Sequence, residues 1–300
     1  MEHDQPKVKA NKLLKWLDDN GAEIHRQPGS ERLPGPFEWI PETSEFQGWL
    51  SNGPPTLLLV GRPGSGKTTA ASLVVDTLLR QDHLGRRVGV AFLHVGTGKK
   101  KRNAMQLLRS LLYQLGQRLA SSYIRSRNHP PMEDVLDILS ETTPNPSQGD
   151  IVSQILPKVI DKFDRVYVVV DELDQMTENR RRLYSSLLGL RNENLRLFLT
   201  TCHSPDEESR LHKDPQILIS GANVGKDLDT YITKRLTDLP KFISYRPTVE
   251  RRVKKRVMED ANELWVAIYE LRVCLTSFQD TCRKTSDGRT YEYERRKHRT

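Results

Sequence analysis

The stretch TLLLVGRPGSGKTT, residues 56–69, decides the fold of this chain. The apolar run Leu57–Val60 predicts a buried strand, and Gly61–Thr68 fits the pattern G-x-x-x-x-G-K-[ST] at every fixed position. Such a loop leads from a strand into a helix, and its backbone N–H groups converge on phosphate oxygens. The stretch therefore predicts a phosphate-binding loop between a strand and a helix.

Each residue type in this loop has a physical reason to be there. Glycines let the backbone turn sharply, and Pro63 stiffens the loop in that shape. Lys67 supplies a mobile positive charge to the β- and γ-phosphates, and the Thr68 hydroxyl is suited to ligate Mg²⁺. The predicted phosphate-binding residues are Gly61, Pro63, Gly64, Ser65, Gly66, Lys67, Thr68 and Thr69.

A second chemical landmark is RVYVVVDELDQ, residues 165–175. Its continuous apolar run is typical of a strand buried on both faces of a parallel sheet, and it ends in Asp171, Glu172 and Asp174. A carboxylate at the carboxyl end of such a strand, beside a phosphate loop, handles Mg²⁺ and a water nucleophile. The end of this strand, with its three acids, is therefore a candidate for the Mg²⁺-binding site beside the phosphate loop.

A third apolar run, LRLFLTT at residues 195–201, predicts another buried strand that ends in two hydroxyls. Either Thr200 or Thr201 could lie near the γ-phosphate as a sensor. The alternative is that both are β-favouring residues that simply close the strand.

Further elements follow from periodicity and turn residues. Ser44–Leu50 predicts a short helix with Ser44 as its cap, and leucines from Leu108 to Leu119 mark one face of a long helix. The other predicted elements are strands at 88–95 and 216–220 and helices at 182–190 and 227–239. From Thr248 onward a near-heptad apolar stripe favours packing within the chain, with self-association as the alternative.

Composition narrows the class of protein. The 300 residues are 36% hydrophobic and 29% charged, which is typical of a globular protein with one large domain and polar additions. No apolar run approaches the length of a membrane helix, so we expect no membrane association. The three cysteines lack metal-ligand spacing and are odd in number, which favours a reducing, cytoplasmic location.

The net charge of +8 raises the question of nucleic acid. Basic residues cluster at 99–102, at 251–256 and in the tail 283–300, and no aromatic residues interleave the lysine run as a single-strand platform would require. Solvated faces are the favoured interpretation, and we do not expect nucleic acid to be a partner.

Together these stretches resemble one family: the STAND-class P-loop NTPases of the NACHT type, in the nephrocystin 3-like N-terminal domain version. The resemblance is carried by PETSEFQGWL, the phosphate loop and its helix, MQLLRSLLYQL, VVVDELDQ, LRLFLTT and DLDTYITKRL, which span residues 39–239. It implies a three-layer α/β/α fold with a five-stranded parallel sheet, in which the threonine strand lies between the other two landmark strands. It also implies Asp171 for Mg²⁺, Asp174 for orienting water, and Thr201 at the sensor position.

Three departures from the family pattern affect the expected chemistry. Glu172 stands where the family commonly has a small residue, and Gln175 stands where it has a second acid, so the hydrolytic carboxylate could be Asp174 or Glu172. Cys202 replaces the arginine that usually follows the sensor. The sequence therefore predicts nucleotide binding more firmly than fast hydrolysis.

The predicted function is a nucleotide switch that binds Mg²⁺ with ATP, or alternatively GTP, hydrolyses it slowly and controls oligomerisation through the NTPase domain or the C-terminal helix. The predicted domains are a helical lead-in (1–50), the NTPase (51–222), a helical extension (223–282) and a basic tail (283–300). Two rival hypotheses are a nucleotide-binding scaffold with little turnover and a nucleic-acid-dependent ATPase of the AAA type.

Overall fold

A computed structural model describes residues 36–81, 86–95, 103–125, 147–173, 180–190, 193–204 and 211–220, with a few positions between 223 and 255. The chain divides into two compact units. The first comprises Met1–Arg32, Phe37–Arg62 and Lys67–Ile219, and the second Leu33–Pro36, Pro63–Gly66 and Ser220–Thr300. Residues 1–35 of the predicted lead-in and the predicted basic tail (283–300) lie outside the described residues.

The first unit contains the strands and the helices between them. A 3-10 turn at Ile40–Glu42 precedes the first helix. The helices are α1 (Ser44–Leu50), α2 (Lys67–Arg80), α3 (Ala104–Arg125), α4 (Gln148–Asp150), α5 (Leu156–Ile160) and α6 (Arg180–Gly189), with a π-helical turn at Ile151–Ile155 joining α4 to α5. The strands are β1 (Thr56–Val60), β2 (Val88–His94), β3 (Arg165–Asp171), β4 (Leu195–Thr201) and β5 (Gln216–Leu218).

The five strands form one parallel sheet in the order β2-β3-β4-β1-β5. The threonine strand β4 therefore lies between the phosphate-loop strand β1 and the aspartate strand β3, which confirms the order implied by the family resemblance. In the register, Val60 is opposite Thr201, and His94 is opposite Asp171. Because all strands are parallel, the residues that end β1, β2, β3 and β4 meet at one edge.

Alternate strand residues pack against helices on opposite faces of the sheet. One face, with Ala91, Leu93, Val168 and Leu199, is covered by α3, α5 and α6 in a single apolar cluster. Gly89 belongs to this face, where a Cβ atom would come within 2.9 Å of Leu115 Cδ2. Strands buried on both faces explain why their sequences are continuously apolar.

The other face receives α1 through an aromatic cluster. Trp49 is fully buried, and its ring centroid lies 5.2 Å from that of Tyr167 and 5.8 Å from that of Phe198. The helix is capped by Thr43, whose side chain accepts a hydrogen bond from Phe46 N at 3.3 Å. The prediction of Ser44 as cap was wrong by one residue, because Thr43 has the extended backbone that a cap requires.

Arg196 and Tyr167 lie near the amino-terminal edge of the sheet, as the second residue of β4 and the third residue of β3. Arg196 is 6% exposed and donates to the backbone carbonyls of Glu193, Leu195 and Ser51. Burial lowers the pKa of Arg196 from its usual value, and burial raises the pKa of Tyr167. The Arg196 Nη2 atom donates to the Ser51 carbonyl, and the Tyr167 hydroxyl donates to the Leu50 carbonyl, each at 3.4 Å. These two bonds attach the end of α1 to this edge of the sheet.

In the second unit, the described positions between 225 and 233 are helical, in agreement with part of the predicted 227–239 helix. Ile232 is fully buried there. In the segment from Thr248 onward, which carries the apolar stripe, the structure describes only Arg251 and Lys255. The packing of the stripe therefore stays a prediction. No helix in the described ranges is long and apolar enough to cross a bilayer.

Candidate functional site

The loop between β1 and α2 has the backbone that its glycines predict. Gly64 and Gly66 adopt φ angles of 77° and 91°, a region that side chains with a Cβ rarely enter. Between them, Ser65 is 7% exposed, and its buried hydroxyl has no hydrogen-bond partner within the described ranges. Pro63 is exposed, and the loop passes directly into α2 at Lys67.

Lys67 is a buried cation held by the loop itself. It is 7% exposed, and its Nζ donates to the carbonyl oxygens of Gly61 at 2.8 Å and Arg62 at 3.0 Å. Within the part of the chain that the structure describes, its polar contacts are thus neutral carbonyls rather than a carboxylate. Thr68 and Thr69 follow in the first turn of α2, and both are half-buried.

Asp171 and Thr200 meet at the carboxyl edge of the sheet. Both residues are fully buried, and the Thr200 hydroxyl donates to Asp171 Oδ1 at 2.7 Å. Thr200 also accepts a hydrogen bond from the Glu172 backbone N–H at 2.9 Å. One hydroxyl therefore fixes both the carboxylate of Asp171 and the backbone that follows it.

Thr201 has different contacts. Its hydroxyl bonds to the His203 carbonyl at 3.1 Å, and its own carbonyl accepts from the Gly61 N–H at 3.1 Å. Since successive strand residues point to opposite faces, only one of the two threonines can contact Asp171. The structure brings Thr200 to the aspartate, while Thr201 ties β4 to the start of the phosphate loop.

Glu172 leaves the strand in an unusual backbone conformation. Its φ angle is 59°, in the left-handed region that costs a residue with a Cβ about 1 kcal/mol or more. Its side chain is 28% exposed. Asp174, the other predicted catalytic carboxylate, and Gln175 lie outside the described residues.

His94 is a site residue that the sequence analysis did not single out. It ends β2 opposite Asp171, with its Nδ1 3.0 Å from Asp171 Oδ2 and its Nε2 3.9 Å from Glu172 Oε2. The available signal was its position near the end of the predicted strand 88–95, since carboxyl ends of parallel strands share an edge. A lone histidine at a strand end gives no stronger indication.

The chemistry of these residues fits a nucleotide with Mg²⁺. The buried Lys67 ammonium suits an anion. In the glycine loop, the Ser65 hydroxyl has no partner within the described ranges, and the backbone N–H groups suit phosphate oxygens. Hydroxyl and carboxylate oxygens, as in Thr68 and Asp171, are the ligands that Mg²⁺ prefers. The donor set is thus chemically suited to both groups.

The parallel sheet, its strand order and the loop that enters α2 define the P-loop NTPase fold. The family model described as nephrocystin 3, N-terminal, matches residues 35–201, more than half of the chain. The chain therefore belongs to the nephrocystin 3 N-terminal family, as the sequence resemblance predicted. The matched range begins before α1 and ends with Thr201, the last residue of β4.

Two solved structures illustrate what the chain is similar to. A Walker-type ATPase of Pyrococcus abyssi has a TM-score of 0.47 and 14% identity, over 84% of this chain and 77% of that one. The Orc1 protein of Aeropyrum pernix, solved with DNA, has a TM-score of 0.47 and 16% identity, over 88% of this chain and 58% of that one. Similarities at this level do not decide function. No curated protein matches the chain significantly.

Proposed function

We propose that this chain binds a nucleoside triphosphate with Mg²⁺, with ATP as the favoured nucleotide and GTP as the alternative. The observation that carries the proposal is Lys67, whose ammonium is 7% exposed and bonded to two loop carbonyls. A buried cation without a counter-charge is costly, and an anion that binds beside it offsets that cost. A phosphate chain is the anion that the flanking glycine loop suits best.

The roles of the site residues follow from their chemistry. Lys67 neutralises the β- and γ-phosphates, and the backbone of Gly61–Thr69, including Pro63, Gly64, Ser65 and Gly66, encloses the phosphate chain. Thr68 and Asp171 hold Mg²⁺, which when bound supplies positive charge to the phosphate oxygens. Thr200 is the favoured γ-phosphate sensor because it contacts Asp171, and Thr201 is the alternative.

Hydrolysis requires a carboxylate that activates water. Glu172 or Asp174 would orient a water for attack, as a carboxylate beside the metal ligand can do. Glu172 directly follows Asp171 and has a strained backbone, a feature that clusters at functional sites. We propose slow turnover that resets the bound state.

We further propose that the chain acts as a cytoplasmic signalling switch of the STAND class and NACHT type. In this proposal the nucleotide biases a conformation that permits oligomerisation, through the NTPase domain or the C-terminal helix. Membership in the nephrocystin 3 N-terminal family supports this reading. The chain mass, measured by light scattering with ADP and with a non-hydrolysable ATP analogue, tests it. An equal mass in both states contradicts it.

The binding proposal is tested by calorimetry on wild type, Lys67→Ala and the matched control Lys158→Ala. Lys158 is exposed and lies before β3, at the amino-terminal edge of the sheet. We expect Lys67→Ala to weaken Mg-ATP binding by on the order of a hundredfold, because a charge-assisted contact is lost, while Lys158→Ala binds like wild type. Equal affinity of Lys67→Ala and wild type overturns the proposal.

A second candidate is a nucleotide-binding scaffold with little turnover. The Asp171 carboxylate is held from both neighbouring strands, by Thr200 at one oxygen and by His94 at the other, and such a rigid site suits binding with little turnover. Phosphate release equal to that of Asp171→Ala, despite tight binding, supports this candidate. The nucleic-acid-dependent alternative depends on basic clusters that lie mostly outside the described ranges, and it stays a rival hypothesis. Salt-sensitive stimulation of turnover by DNA or RNA would support it.

A further inference from the structure

His94 connects β2 to both acids at the end of β3. Its Nδ1 lies 3.0 Å from Asp171 Oδ2, and its Nε2 lies 3.9 Å from Glu172 Oε2. The His94 side chain is 38% exposed, whereas Asp171 is fully buried. One ring therefore reaches a buried carboxylate with one nitrogen and a partly exposed carboxylate with the other.

The Asp171 carboxylate is held from both neighbouring strands. Thr200 on β4 donates to Oδ1 at 2.7 Å, and His94 on β2 lies against Oδ2. Two hydrogen bonds to different oxygens fix the plane of a carboxylate, and each oxygen keeps a further lone pair for another ligand. This geometry orients Asp171 without closing it to a cation.

The imidazole is itself fixed in place. Its ring stacks on Phe92, with centroids 6.4 Å apart and planes 13° apart. The strand backbone is anchored just beyond it, because the Val95 N–H donates to the Asp171 carbonyl at 3.0 Å. A ring contact on one side and a hydrogen-bonded backbone beside it favour one orientation of the His94 side chain, which can then orient its partner.

We infer that His94 is a positioning residue of the proposed nucleotide site. It orients the Asp171 carboxylate for Mg²⁺, and Glu172 Oε2 lies 3.9 Å from its other ring nitrogen. It acts through the Asp171 carboxylate rather than on the nucleotide. The inference rests on the proposed function. A structural role alone would make His94 matter equally with and without metal, whereas a positioning role makes it matter only when Mg²⁺ is present.

Three substitutions separate the contacts of the ring. His94→Asn keeps a donor near the position of Nδ1, and His94→Gln extends toward the position of Nε2 instead. His94→Phe keeps the ring stacked on Phe92 and removes both nitrogens. His212→Asn is the matched control, since His212 is exposed in the turn before β5.

The experiment measures the affinity of each variant for a non-hydrolysable ATP analogue by calorimetry, in Mg²⁺ and in EDTA. We expect His94→Phe and His94→Gln to lose about tenfold in affinity in Mg²⁺, while His94→Asn and His212→Asn stay within about threefold of wild type. In EDTA all variants should bind alike. Titration of Mn²⁺, followed by electron paramagnetic resonance, should give the same order.

Two results overturn the inference. One is a His94→Phe variant that keeps the full gain in affinity from Mg²⁺. The other is a His94→Phe variant that loses the same factor of affinity for the ATP analogue in Mg²⁺ and in EDTA and also has a lower melting temperature. If His94→Phe does not fold, the contrast between His94→Asn and His94→Gln decides. Failure of the proposed function is distinct, because then wild type binds no better than Lys67→Ala in either buffer.

Discussion

The Thr200 hydroxyl lies 2.7 Å from Asp171 Oδ1, and both side chains are fully buried. This bond joins two adjacent strands at the edge where the phosphate loop begins. Because both side chains are shielded from water, no water molecule can replace the Thr200 hydroxyl as the donor to this carboxylate oxygen.

Thr200→Val should weaken binding of Mg²⁺ with ATP by about tenfold and lower the free energy of unfolding by about 1–3 kcal/mol, because a buried acceptor loses its donor. Thr200→Ser keeps the hydroxyl and should bind like wild type. Thr201→Val is the matched control, since Thr201 bonds to His203 instead. Calorimetry and urea unfolding measure both effects. A larger loss of affinity in Thr201→Val would transfer the sensor role to Thr201.

Glu172→Gly should raise the free energy of unfolding by about 1 kcal/mol, because glycine adopts a φ angle of 59° without strain. The same variant tests catalysis, since it removes one of the two predicted hydrolytic carboxylates. Turnover that survives in Glu172→Gly and disappears in Asp174→Asn assigns the role to Asp174. The reverse result assigns it to Glu172. Whichever acid is catalytic, Glu172→Val should lower the free energy of unfolding, because a β-branched residue is strained at this φ angle.

Gly89→Val should lower the free energy of unfolding by about 1–3 kcal/mol, because its side chain overpacks the core. A Cβ atom alone would come within 2.9 Å of Leu115 Cδ2 and 3.2 Å of Phe163 Cε1. Gly116→Ala in α3 is the control: a Cβ atom there meets nothing within 4 Å. Alanine should stabilise the helix by about 0.5–1 kcal/mol. Chemical unfolding of both variants checks the packing of this face.

Trp49→Ala should lower the free energy of unfolding by about 3–5 kcal/mol, because it leaves a cavity in the aromatic cluster between α1 and the sheet. Trp49 is fully buried, and its ring centroid is 5.4 Å from that of Phe46. The half-buried Trp39 provides the comparison, and Trp39→Ala should cost clearly less. Equal costs would mean that α1 does not depend on Trp49 for its attachment to the sheet.

The landmark strands could be predicted from sequence because a strand buried on both faces leaves a continuous apolar run. The strand Leu195–Thr201 was predicted with its observed bounds, and the phosphate loop was defined by its fixed residues. Thr200 could not be distinguished from Thr201, because the choice depends on which face of β4 meets Asp171. That register arises between segments far apart in the chain.

His94 escaped the sequence analysis for the same reason. Its contact with Asp171 joins residues separated by 77 positions, and only the pairing of β2 with β3 brings them together. The cap of α1 was missed by one residue because Thr43 and Ser44 both carry hydroxyls that suit a cap. Local chemistry identified the right residue types, and the choice between neighbours required backbone geometry.

The position of β4 in the sheet has a consequence for synthesis of the chain. Within the described sheet, β1 pairs only with β4 and β5, although it comes first along the chain. During synthesis on the ribosome, β1 therefore cannot pair with β4 until residues 195–201 have been made. Closing so long a stretch of chain is slow, so the nascent segment around Leu57–Val60 is where we expect a chaperone to be needed most.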